Sequence, residues 1–154
     1  MRRKRNKKGF TLAELLIVVA IIGVLVAISI PIFNNQLRKV RLATNQANAR
    51  AAYAAWVAQY MDEGMPVKTE NTYYRYEIST GKIISHVSPR NFGTQVCKPN
   101  SKDPSTDIST WKTTTQLLNP DRKLGSYVYK YWELQVINGE VTAYYAYATL
   151  DGKW

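Results

Sequence analysis

The chain has 154 residues, a formal net charge of +10 and one cysteine, Cys97. That length accommodates one small domain and an appendage, and a lone cysteine excludes an intrachain disulfide framework. Six of the ten excess positive charges come from Arg2, Arg3, Lys4, Arg5, Lys7 and Lys8, which marks a topogenic tail rather than a folded basic surface for nucleic acid.

Behind that tail, Gly9 and Phe10 open a long apolar run. From Leu15 to Ile30 it contains no charge and a single hydroxyl, Ser29. Glu14 stands near its start. An acidic side chain at the centre of a membrane helix costs about 2.5–3.5 kcal/mol, less near the interface, so Glu14 needs a charged partner or a route to the interface. Phe10 to Phe33 is about 24 residues, or roughly 36 Å of helix, enough to cross a hydrocarbon core. Arg38, Lys39 and Arg41 follow it, but the heavier basic flank is the leader, which places the N-terminus in the cytoplasm and the remainder outside. A cleaved secretory signal would need a small-residue site after the run, and Ile28-Ser29-Ile30-Pro31-Ile32-Phe33 offers none. Pro31 lacks an amide hydrogen and clashes with the Ala27 carbonyl, so a kink or loosening is expected there, with Gly23 a second weak point upstream.

Lys8-Gly9-Phe10-Thr11-Leu12-Ala13-Glu14-Leu15-Leu16 resembles the N-terminal signature of type IV prepilins and of the related pseudopilins of type II secretion and competence systems. Pro31 stands at the offset of that family's helix-kinking proline. The resemblance is strong from Lys7 to Phe33 and extends in outline to about Met61. It implies cleavage of Gly9–Phe10 by a prepilin peptidase, which also methylates the new amine of Phe10. Gly9 suits such a site because a residue without Cβ lets the peptide bond approach a catalytic group closely. The resemblance further implies that Glu14 faces the Phe10 amine of its own or a neighbouring subunit, with Thr11 and Leu15 beside it in the assembly contact. Pairing removes much of the cost of two charges in hydrocarbon. Melting of the helix between Gly23 and Pro31 in a filament, an assembly platform and an ATPase are implied in the same way.

Past the membrane segment the helix is expected to continue. Leu37, Val40, Thr44, Ala47, Ala51, Ala54, Ala58 and Met61 recur in three- and four-residue steps as one face, which Tyr53, Trp56, Val57 and Tyr60 broaden. This stripe is expected to pack first on neighbouring stalks and then against a sheet. Gly64 and Pro66 stop the helix.

Beyond Pro66 the composition turns to tyrosine, threonine and turn formers. Tyr73–Ile78 and Lys82–Val87 read as strands around Ser79-Thr80-Gly81. Residues 88–126 read as irregular, with a short helix between Ile108 and Leu118 capped by Asp107. Tyr127–Ile137 and Glu140–Leu150 form a hairpin about Asn138-Gly139, whose type I′ turn needs two positive φ angles. With Ile137 opposite Glu140, strict alternation sets Val128, Trp132, Leu134, Val136, Val141, Ala143, Tyr145 and Tyr147 toward the helix. Tyr129, Tyr131 and Tyr144 then face outward.

No catalytic constellation emerges. His86 is the sole histidine, Cys97 has no companion ligand, and Asp103, Asp107 and Asp121 lack the spacing of a calcium loop. No cofactor, metal or phosphate loop is expected. Arg90, Lys98, Lys102, Lys112, Arg122 and Lys123 read as a dispersed solvated surface, with DNA binding the alternative. The expected fold is α+β: a long N-terminal helix, half membrane and half amphipathic, packed on a small C-terminal antiparallel sheet in a pilin-like arrangement. Its segments are a cleaved leader (1–9), a transmembrane and filament-core helix (10–33), an amphipathic continuation (34–63) and a β-rich headgroup (64–154). The expected role is a homo-oligomeric pilus subunit held in the cytoplasmic membrane before assembly, with a pseudopilin or a DNA-uptake pilin as alternatives.

Overall fold

The computed structural model describes residues 9–67, 69–84, 94–97, 106–117 and 123–147. One helix, α1 (Leu12–Asp62), precedes five strands: β1 (Thr72–Glu77), β2 (Lys82–Ile84), β3 (Thr94–Cys97), β4 (Tyr131–Ile137) and β5 (Glu140–Tyr147). The chain divides into two compact units, residues 1–36 and 37–154.

In the first unit the helix surface from Leu12 to Phe33 is exposed, and apart from Glu14 and Ser29 it is apolar. Helical structure is unbroken through Gly23 and Pro31. The Ser29 hydroxyl donates to the Leu25 carbonyl at 2.7 Å, so the one polar side chain between Leu15 and Ile30 is satisfied within its own helix.

In the second unit, α1 ends in a Schellman motif. Gly64 (φ 77°) donates to the Met61 carbonyl, and Met65 (φ 53°) to the Tyr60 carbonyl at 2.9 Å. The sheet has strand order β2-β1-β4-β5-β3, antiparallel at every neighbouring pair. The hairpin turn is as expected: Ile137 faces Glu140, and Asn138 and Gly139 have φ of 53° and 79°.

The expected inward face of β5 is corrected. The register shifts between Gln135 and Val136, so Val136 pairs with Val141 but Leu134 pairs with Tyr144 and Trp132 with Ala146. One additional β5 residue inverts everything beyond it. Tyr144 therefore enters the core against Trp111, while Tyr145 joins the far face beside Gln135 and Tyr73. Tyr147 goes with it, its hydroxyl donating to Glu133 at 3.3 Å. Residues 127–129 precede β4 rather than belonging to it, so Tyr129 is buried and Val128 is exposed.

The helix face is corrected as well. Asn45, Ala49, Ala52 and Trp56 are the buried residues of α1. Val40, Ala47, Ala51, Ala54, Ala58 and Met61 are exposed. At about 100° per residue the two stripes lie on nearly opposite sides of the helix. Trp56, Val57 and Tyr60, expected to broaden the face, do pack on the core, but apolar periodicity selected the wrong stripe beside them because the true face is centred on a polar residue. The core is Trp56, Tyr74, Trp132, Leu134 and Tyr144 with Ile108, Trp111, Leu117, Leu124 and Tyr129. Trp111 stacks on Trp132 with ring centroids 5.7 Å apart.

Within the stretch read as irregular, β3 adds an edge strand beside β5, and the expected short helix is a single 3-10 turn, Ile108–Thr110. Asp107 does cap it, accepting from the Ser109 amide at 2.9 Å. His86, Arg90, Lys98, Lys102, Asp103, Asp121 and Arg122 lie outside the described residues, as does the expected extension of β2 to Val87.

Candidate processing and assembly site

The expected site residues occupy the first turn of α1 and the segment before it. Phe10 is 90% exposed and Gly9 is open to solvent. Thr11 is the N-cap residue. Its amide donates to Glu14 Oε2 at 2.8 Å, its hydroxyl donates to the same oxygen at 2.9 Å, and the Glu14 amide donates back to Thr11 Oγ1 at 3.3 Å. This reciprocal pair is a capping box, and it satisfies donors that a helix start otherwise leaves open. Thr11-Leu12-Ala13-Glu14 fits the Thr-x-x-Glu signature, a signal in the sequence that the reading of Glu14 as a charge partner passed over. Both bonds go to Oε2, so Oε1 keeps its lone pairs for another donor.

Leu15 follows one residue later, 57% exposed, with Leu16 and Ile17 similarly uncovered. Gly23 and Pro31 lie further along the same helix, away from the capping box. The structure thus brings together Thr11 and Glu14 and leaves the other expected residues as separate positions on one apolar surface. α1 is long and apolar enough to cross a membrane.

In the headgroup, the side chains cluster for architecture. The Asn45 amide nitrogen donates to the carbonyls of Leu124 (2.8 Å) and Tyr127 (2.7 Å), and its oxygen accepts from the Tyr129 amide (3.1 Å). Arg41 donates to the Ser126 carbonyl at 2.9 Å. On the far side of the sheet, Arg75 pairs with Glu133 at 2.8 Å. An open groove of about 440 Å³ is lined by Arg50, Tyr53, Asp107, Ser109 and Tyr144. The Ser109 hydroxyl and amide hold the Asp107 carboxyl below its ordinary range, and Arg50 adds attraction. That contact is the cap of the 3-10 turn, not a nucleophile beside a base. No group of three histidine, cysteine, aspartate or glutamate side chains gathers among the described residues.

Residues 4–30 match the family model described as the prokaryotic N-terminal methylation motif. The chain is 44% identical over 62 residues to the type IV narrow pilus major component PilA5 of Thermus thermophilus, covering 38% of this chain and 52% of that protein. It is 30% identical over 105 residues to the type IV major pilin protein PilE of Neisseria gonorrhoeae, covering 66% of this chain and 62% of that one. Against the type IV major alpha-pilin of Moraxella bovis it is 36% identical over 66 residues, 43% of this chain and 42% of the relative. The chain therefore spans less than two thirds of the length of these curated relatives. No solved structure matches it significantly. The chain thus opens with the prokaryotic N-terminal methylation motif and is similar, over the stretches given, to type IV pilins.

Proposed function

We propose that this chain is the structural subunit of an extracellular type IV pilus-like filament, assembled through the apolar first half of α1. The observation that carries the reading is the exposed apolar surface from Leu12 to Phe33 among the described residues. Withdrawing a large apolar side chain from water stabilises by about 1.5–3 kcal/mol, so this surface requires lipid before assembly and neighbouring copies after it. The chain waits in the cytoplasmic membrane as a single pass with its N-terminus inside. A prepilin peptidase cuts Gly9–Phe10 and methylates the Phe10 amine, separating the leader (1–9) from the mature protein.

Glu14 then becomes the fifth residue. Thr11 holds one carboxylate oxygen and leaves Oε1 to receive the Phe10 amine of the same or a neighbouring subunit, so an incoming chain settles where both charges are paired. Leu15 packs beside that contact, and Gly23 and Pro31 supply the weak points at which the helix melts as the filament forms or stretches. An assembly platform and its ATPase extract the subunit, and the headgroup carries no catalytic role. The curated relatives are pilus proteins, which favours a pilus over a pseudopilus or a DNA-uptake subunit. Filaments sheared from cells test the reading: intact mass should give a chain that begins at N-methylated Phe10. Filaments built from chains that retain residues 1–9 would refute it, as would unchanged surface filaments after deletion of the gene.

A further inference from the structure

Among the described residues of the 37–154 unit, opposite ends carry opposite charge. Arg41 and Asn45 fasten the loop before β4 to one end. At the other end the β4–β5 turn meets Tyr60, whose hydroxyl lies 2.7 Å from where a Cβ on Gly139 would stand. The first end exposes Arg38, Lys39, Lys123 and Lys130, with Lys82 on the adjoining β1–β2 turn. Glu77 is also there, its carboxylate accepting from the Ser79 and Thr80 hydroxyls. At the opposite end, Asp62 and Glu63 close the helix and Glu140 opens β5 beside the same turn. The basic end also presents Tyr127 and Val128, 45% and 46% exposed.

The covalent chain limits where that basic end can be. Arg41 follows Phe33 by eight residues, so even a fully extended chain allows no more than about 29 Å between the end of the apolar run and the loop's attachment. Lysine and arginine are drawn to anionic lipid surfaces within a Debye length, and tyrosine favours the headgroup layer.

We propose that, before assembly, this end of the headgroup rests on anionic phospholipid, with Arg38, Lys39, Lys123 and Lys130 at the phosphates and Tyr127 and Val128 entering the interface. The inference rests on the membrane-spanning reading of α1. Docking holds the headgroup in one orientation, and the lipid contacts are surrendered when the subunit is extracted.

The test uses the full chain at one copy per nanodisc, in phosphatidylcholine alone or mixed with phosphatidylglycerol, with amide hydrogen exchange as readout. Exchange at residues 126–130 should slow about fivefold in the anionic bilayer, the scale of one lysine's attraction to such a surface. High salt or the double substitution Lys123→Gln, Lys130→Gln should remove the difference, while the amides of Trp132–Leu134 stay protected and report an intact fold. Equal exchange in both bilayers overturns the inference. So does slowing that appears only when several copies share a disc, which would assign the basic end to the acidic end of a second copy. A chain that fails to insert overturns the spanning reading and this inference together, whereas insertion with lipid-independent exchange overturns the inference alone.

Discussion

Asn45 shows how one side chain can define a helix face against the local hydrophobic pattern. Fully buried, its carboxamide bonds three main-chain groups of the 124–129 segment. Replacing it with leucine of similar size leaves two carbonyls and an amide without partners, each costing about 1–3 kcal/mol when buried. Asn45→Leu should therefore lower unfolding stability by about 3 kcal/mol or more, measured by urea denaturation of the chain in detergent micelles. Tyr74 offers a test in pH. Burial, and then its hydrogen bond to Glu63, push its hydroxyl up to about 12 from the ordinary 10. The folded state thus holds this proton more tightly than the unfolded state. Its contribution is complete below pH 10 and is lost as pH rises from about 10 to 12. Tyr147 shifts upward too, through burial and Glu133, and acts in the same direction. Urea midpoints should fall across that window, and Tyr74→Phe should flatten part of the fall. An unchanged slope would remove Tyr74 as a contributor.

At the scale of elements, the hairpin separates what a sequence discloses from what it withholds. Asn138-Gly139 was legible because both turn positions need positive φ, a local demand that few residue types meet. The inward set of β5 was not, because Thr142 is unexceptional and the extra residue is fixed by packing across the sheet. The same contrast holds along α1. Its termination was written in Gly64 and Pro66, whereas its buried face depends on partners more than sixty residues away. Two glycines give a paired test. Gly125→Ala would set a Cβ 2.9 Å from the Thr113 carbonyl oxygen, a contact that only a backbone shift relieves. Gly139→Ala meets the movable end of Tyr60, so its cost is mainly the positive φ, about 1–2 kcal/mol. Thermal unfolding should rank Gly125→Ala as the more damaging, and Tyr60→Phe should recover only the steric part of Gly139→Ala.

For the whole molecule, the candidate site was more legible than the headgroup that accompanies it. A carboxylate five residues after a glycine, at the head of an uncharged run, is conspicuous because its cost in lipid is large. Its capping role was missed since that contact belongs to helix geometry rather than to charge. Glu14→Ala should leave cleavage after Gly9 intact and abolish surface filaments, read by immunoblot of processed protein alongside electron microscopy of cells. Filaments in normal numbers would deny Glu14 any part in register. Thr11→Val, which keeps the carboxylate and loses both bonds of the capping hydroxyl, together worth about 1 kcal/mol, should weaken assembly without preventing it.

The grip of Arg41 and Asn45 on the loop has one more consequence. Both hold peptide atoms, so the outward side chain of Val128 takes no part in the fastening. That position can carry a foreign label while its scaffold stays put, which makes it a natural attachment point for an affinity tag or a fluorophore.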